Sequence, residues 1–159
     1  MIAAVDTNII LDVLIPDEPF GQSSRALLDH YISRGQLVIC EVVYAELASM
    51  FRSEDQFARF LAETGIRLIS SNARSLYLAG VKWTEYARKS GKGQMTCANC
   101  GKTVNVACPQ CDTSFSRKLR VLADFLIGAH ALTHAECILS RDLGVYKGHF
   151  KDLKVVSSL

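Results

Sequence analysis

Apolar residues along this chain fall into two patterns: short continuous runs, and stretches spaced by three and four. Ile2–Val5 is a continuous run that ends at Asp6, which predicts a buried strand. Asp6 or Thr7 can cap the next segment, where Ile10, Val13 and Leu14 share one helical face until Pro16 and Pro19 break it. Helical spacing resumes from Phe20 to Arg34 through Ala26, Leu27, Tyr31 and Ile32, and Gly35 closes it. Leu37–Cys40 predicts a second buried strand. Glu41 to Phe51 predicts a helix that turns Val43, Leu47 and Met50 inward. Asp55–Glu63 predicts another helix, stopped by Thr64 and Gly65, and Ile66–Ile69 a third strand. Ser70, Ser71 and Asn72 supply caps for a long helix from Ala73 to Lys89. Arg117 to His134 is helical again, and Cys137–Leu139 and Leu153–Val156 read as short strands. Strands that alternate with helices predict an α/β fold, a mostly parallel sheet flanked by helices on both faces.

The pattern breaks once. Between Ser90 and Ser116 the chain is rich in Gly and Cys, has no helical period, and separates two good helices. With no internal repeat, the expected organisation is one domain over residues 1–159, interrupted at 91–116 by an insert. The insert carries two C-x-x-C pairs, Cys97 with Cys100 and Cys108 with Cys111. Each pair can form a tight knuckle, and Thr103–Val106 is long enough for a small hairpin that brings the knuckles together. Four thiolates complete a tetrahedral Zn²⁺ site with no open position, so this metal is expected to be structural in a zinc-ribbon-like module. Zinc binding contributes roughly 10–16 kcal/mol, which offsets the absence of a core in so short a segment. Iron suits the same ligands, and disulfides or inert thiols are the other reading. Cys40 and Cys137 lie in apolar runs and are expected in the core.

Composition narrows the classes. The chain is 49% hydrophobic and 21% charged, enough for a real core and unlike a disordered protein. A net charge of +2 excludes wholesale coating of nucleic acid, so any such contact needs a local patch. Arg88, Lys89, Lys92, Lys102, Arg117, Lys118 and Arg120 flank the insert with Asp112 as the one acid among them, and Phe115 adds a stacking face. The plainer reading is a solvated helix end. No signal peptide or membrane span is apparent, so the cytoplasm is the expected location, where reduced thiols favour metal binding.

Four acids occupy unusual places. Asp6 ends the first strand, and Asp142 lies just beyond Cys137–Leu139; ligands of parallel sheets bind at such carboxyl ends. Glu46 shares a stripe with Val43, Leu47 and Met50, which directs it toward the core. Asp124 lies in the row Val121, Asp124, Gly128 and Ala131, whose small residues suggest close packing. Acids gathered at one site repel unless a divalent cation offsets them, and Mg²⁺ and Mn²⁺ prefer carboxylate oxygens. Such ions suit phosphoryl chemistry. Taken singly, Asp6 can be a helix cap and Asp142 a turn cap.

Val5-Asp6-Thr7-Asn8, Glu46, the segment Ala123 to Ala131 around Asp124, and Leu139-Ser140-Arg141-Asp142 together resemble the PIN domain, closest in order and spacing to VapC-type toxins. The ending from Gly144 through Tyr146 and Phe150 to Val155 is similar to that family's last helix and strand. The resemblance covers nearly the whole chain outside the insert. It implies a PIN fold and Mg²⁺- or Mn²⁺-dependent endoribonuclease activity. It also implies an acidic site of Asp6, Glu46, Asp124 and Asp142, with Ser140 at a hydroxyl position and Asn8 at a polar position beside Asp6. RNA as substrate, a homodimer and an antitoxin partner follow from it as expectations. The insert departs from simple toxins of this type. Because it enters just before the helix bearing Asp124, it is expected at the rim of the site, where it helps grip RNA.

Two rival readings stay open. One is a binding module for RNA or protein with little or no catalysis. The other is a phosphotransferase or phosphatase with Asp6 as covalent nucleophile, which would call for a nearby lysine. His130 and His134, one helical turn apart, are expected to be a packing or surface pair and not metal ligands.

Overall fold

The apolar runs do become strands. The structure, a computed structural model, describes residues 1–89, 94–96, 103–113 and 118–159, with only the backbone of 89, 94–96, 103 and 118–121. In chain order the elements are β1 (Ile2–Val5), α1 (Thr7–Leu14), α2 (Gly21–Ile32), β2 (Gln36–Ile39), α3 (Glu41–Ala48), α4 (Glu54–Thr64) and β3 (Arg67–Leu68). Then come α5 (Ala73–Lys89), β4 (Gln94–Thr96), β5 (Thr103–Asn105), α6 (Lys118–His134), β6 (Cys137–Leu139), α7 (Leu143–His149) and β7 (Val155–Val156).

Five strands form one sheet in the order β3-β2-β1-β6-β7, and every pairing in it is parallel. The chain steps outward from β1 to β2 and β3, then returns to the far side of β1 as β6. The order therefore reverses between β1 and β6, and a crevice opens beyond the carboxyl ends of strands at such a switch point. The core is built from the central strands and the helix faces laid on them, with Ile9, Ile10, Leu27, Val43, Leu47, Phe125, Tyr146 and Phe150 among its buried members. Cys40 and Cys137 are buried free thiols, as their apolar surroundings predicted.

Several local expectations need correction. The inward residues of α1 are Ile9, Ile10 and Asp12, while Val13 and Leu14 are half-buried, so the buried arc is turned by about one residue. α3 stops at Ala48, short of the predicted end at Phe51, and Met50 consequently points to solvent. β3 is a two-residue edge strand with both side chains exposed. Gly35 lies beyond the end of α2 and is needed for another reason. A Cβ there would overlap the carbonyl oxygen of Met1, whose bond to the Gln36 amide starts the β1–β2 pairing.

The insert also folds differently from the expectation. Thr103–Asn105 does not form a hairpin by itself; it pairs antiparallel with Gln94–Thr96, a strand that lies before the first C-x-x-C pair. Cys108 and Cys111 flank a tight turn, closed by bonds from the Asp112 amide to the Cys108 carbonyl and from the Cys108 amide to the Thr113 carbonyl, each 2.9 Å.

Candidate active site

Asp6 stands at the N-cap position of α1, yet its side chain makes no cap bond. It turns instead across the switch point. Its Oδ2 accepts from Ser140 Oγ at 2.6 Å, Asn8 Nδ2 at 2.7 Å and the Tyr146 hydroxyl at 3.2 Å. Ser140, fully buried at the end of β6, also accepts from the Asp142 amide at 2.9 Å and from Asn8 Nδ2 at 3.2 Å. Asn8 Oδ1 accepts the Arg141 amide at 3.2 Å. The loops after β1 and β6 are thus bound to each other through side chains of both. Among the described residues these hydrogen-bond partners of Asp6 include no lysine.

The electrostatics of Asp6 follow from its burial. Desolvation lifts its pKa above the usual carboxylate value, the bonds from Ser140, Tyr146 and the Thr7 backbone oppose the lift, and the charge of Glu46 adds to it. Tyr146 is pushed well up by burial and by the neighbouring Asp6 and Asp124, so its hydroxyl stays protonated and remains a donor.

Asp124 projects from α6 and is half-buried. Burial, then the charges of Asp6, Asp142 and Glu46, raise its pKa from 3.8 to about 6. One carboxyl group therefore feels the three other acids singled out from the sequence, although the four come from different parts of the chain.

Glu46 and Asp142 are placed less deeply than expected. Glu46 is exposed, not core-facing: the buried stripe of α3 is Val43 and Leu47, and Glu46 lies at its margin. Its Oε2 accepts a short hydrogen bond from Thr7 Oγ1, which aims it at the start of α1. Asp142 is exposed and caps α7, with Oδ1 accepting from the Gly144 amide at 3.1 Å and the Val145 amide at 3.5 Å. Capping and a site role are compatible, since a cap occupies only one carboxylate oxygen.

The donor set fits a hard divalent cation. Carboxylate oxygens are what Mg²⁺ and Mn²⁺ select, and among the described residues no salt bridge to a basic side chain neutralises any of the four acids. Nevertheless, no three His, Cys, Asp or Glu side chains among the described residues stand close enough to grip one ion together. The acids form an electrostatic neighbourhood and not a closed cage.

The expected zinc site falls partly outside the description. Cys97 and Cys100 lie outside the described residues, and Cys108 and Cys111 are free thiols. Hydrogen bonding from Thr113 and Cys108 lowers the pKa of Cys111. Of the basic patch, Arg88 is exposed at the end of α5; Lys92, Lys102, Arg117 and Phe115 lie outside the described residues, as do the side chains of Lys89, Lys118 and Arg120.

Sequence reasoning missed Tyr146, Asp12 and Arg141. Tyr146 could have been suspected as a polar-tipped aromatic four residues beyond Asp142. Arg141 forks onto Asp12, which is buried in α1. His130 and His134 are a packing pair, with rings stacked at 4.5 Å between centroids. Burial first, then the His134 neighbour, lowers the pKa of His130, and its Nε2 has no partner among the described residues.

The profile of the PIN domain matches residues 3–150. No curated protein matches the chain. Among solved structures, the fold is similar to a chain of VapBC2 from Rickettsia felis, crystallised with a DNA fragment from its promoter, at TM-score 0.61 and 20% identity over 98% of both chains. It is also similar to VapBC-1 from nontypeable Haemophilus influenzae, at TM-score 0.58 and 20% identity over 98% of this chain and 97% of the other. A third similar structure is VapC20 from Mycobacterium tuberculosis, a toxin that cleaves the sarcin-ricin loop, at TM-score 0.52 and 12% identity over 96% and 98%.

Proposed function

The chain belongs to the PIN-domain family, and from that premise we propose that it is a Mg²⁺- or Mn²⁺-dependent endoribonuclease of the toxin–antitoxin type. One observation carries the reading: burial first, and then the charges of Asp6, Asp142 and Glu46 together, lift the pKa of Asp124 to about 6. Gathering like charges is unfavourable by itself, and a cation that replaces the proton of Asp124 relieves it.

Asp6, Glu46, Asp124 and Asp142 would hold one or two such cations, directly or through water. A bound divalent ion supplies charge neutralisation at a phosphate and lowers the pKa of water. The protein's own groups do the rest. Asn8, Ser140 and Tyr146 all donate to Oδ2 of Asp6 and so fix the orientation of that carboxylate. The Ser140 hydroxyl spends its hydrogen on Asp6, so its part is to orient the carboxylate and, through its own oxygen, the Asp142 amide.

RNA is the proposed substrate, and VapC20, whose target is the sarcin-ricin loop, supports that class. Domain organisation is proposed as one nuclease domain over 1–159 with an insert at 91–116. In that insert Cys97, Cys100, Cys108 and Cys111 would bind structural Zn²⁺, and Arg88, Lys89, Lys92, Lys102, Arg117, Lys118 and Arg120 would hold the RNA backbone. The VapBC structures support an antitoxin as partner. Self-association into a homodimer is supported by the apolar face that α5 turns outward at Leu76, Tyr77 and Val81.

Cleavage of structured RNA by purified protein in Mn²⁺, compared with EDTA and with Asp124→Asn, tests the reading. Mn²⁺-dependent cutting that Asp124→Asn reduces at least about 100-fold is expected, the scale of losing an essential metal-holding group. RNA binding without cleavage in any metal would favour the binding-module reading, for which the open arrangement of the acids is the supporting observation.

A further inference from the structure

We propose that Arg141 is a positioning residue of the acidic site: its fork on Asp12 sets where Ser140 and Asp142 stand against Asp6. The inference deepens the nuclease reading and rests on it for the meaning of the site, though not for the geometry. Asp12 is 2% exposed, an almost fully buried carboxylate in α1. Arg141 Nε donates to its Oδ2 at 2.8 Å and Nη2 to its Oδ1, while Ser24 Oγ from α2 donates to Oδ2 at 2.6 Å. The guanidinium carbon lies 4.3 Å from the centroid of the Phe20 ring. Residue 141 is therefore tied twice. Its side chain is locked to α1 and the start of α2, and its amide donates to Asn8 Oδ1.

Energetics argue against a purely stabilising role. Burying a carboxylate against a guanidinium costs desolvation that largely offsets the Coulomb attraction, and apolar residues of similar volume commonly do as well. What a planar fork adds is fixed distance and fixed angle, which a single contact does not give. The residues whose placement it fixes are its direct neighbours in the chain, Ser140 and Asp142. The first donates to Asp6, and the second contributes to the field that raises Asp124. Its fork is spent on Asp12 and one face lies over Phe20, so the part assigned to Arg141 is exerted through its neighbours.

The test uses the paired variant Asp12→Asn with Arg141→Met, which removes both charges while the introduced amide oxygen can still accept from Ser24, and Arg141→Lys, which keeps the charge without the fork. Amide hydrogen exchange is read at residues 141 and 142, and Mn²⁺ affinity by calorimetry. With a melting temperature near that of the parent, exchange at 141 and 142 is expected to quicken about tenfold while β1 and β6 amides are unchanged. Mn²⁺ affinity is expected to fall about 10–100-fold, the usual scale for groups that orient metal ligands. Should the pair fail to fold, Arg141→Lys gives the same readout. Unchanged exchange at 141 and 142 overturns the proposal, and so does unchanged Mn²⁺ affinity in a protein whose parent binds Mn²⁺. Quickened exchange in a protein whose parent takes up no Mn²⁺ upholds the positioning role and overturns the cation reading instead.

Discussion

Asp124 shows in one side chain what the site costs the fold. Its pKa in the folded protein, about 6, lies above the free value of 3.8 because burial and three carboxylates disfavour its charge. Folding therefore favours the protonated form. The stabilisation is fully present below pH 3.8 and is lost as pH rises through about 6, so near neutrality the folded protein bears the whole cost of an ionised Asp124. Asp124→Asn removes that cost. With solvent screening of a half-exposed group allowed for, the gain is roughly 1 kcal/mol near pH 7. That corresponds to about 2–4 °C in melting temperature for a chain of this size. Thermal denaturation at pH 7 and below pH 3.8 checks it: the gain should appear at the first and vanish at the second. A variant more stable yet inactive is the expected signature of an acid kept for chemistry.

Among the elements, α6 connects site and core. Asp124 is half-buried within the field of the other acids, and one turn on, Gly128 meets the ring of Phe150, which is itself buried against Phe125. A Cβ at Gly128 would stand 2.7 Å from Phe150 Cε2, whereas one at Gly80 in α5 would meet nothing within 4 Å. Gly80→Ala should then stabilise by about 0.5–1 kcal/mol through helix propensity. Gly128→Ala gains the same propensity but must displace an enclosed ring, and overpacking of that kind costs about 1–3 kcal/mol, so a net loss is expected. Urea midpoints of the two variants should move in opposite directions. The small residues of this row were visible in the sequence, but their partner was not. Periodicity misled at Met50 because the apolar spacing of α3 runs past the point where the helix ends, and at Glu46 because the buried stripe is only Val43 and Leu47, with Glu46 at its margin. It served well for β1, β6 and α5, whose observed bounds equal the predicted ones, since uninterrupted apolar runs and an Asn72 cap leave little choice of ends.

At the scale of the molecule, the sheet order brings distant residues together. Tyr146 and Asp6 are separated by 140 positions and Arg141 and Asp12 by 129, which is why no local pattern showed either contact. Asp6 and Asp124 stood out because an acid at a strand end or in a packed row is unusual, whereas Glu46 was singled out on a core-facing stripe that the fold does not give it, and a family likeness supplied the order of the four. The same likeness could not foresee that Glu46 and Asp142 stay near solvent, since their depth depends on which face α3 buries and how α7 is capped. The proposed function depends on these carboxylates sharing one field and yielding their proton to a hard cation. The most direct measurement is a titration of the Asp124 carboxyl carbon by NMR, without metal and with saturating Mg²⁺. A midpoint near 6 that drops when Mg²⁺ is present is the predicted result. A midpoint near 3.8 that Mg²⁺ leaves in place would contradict it.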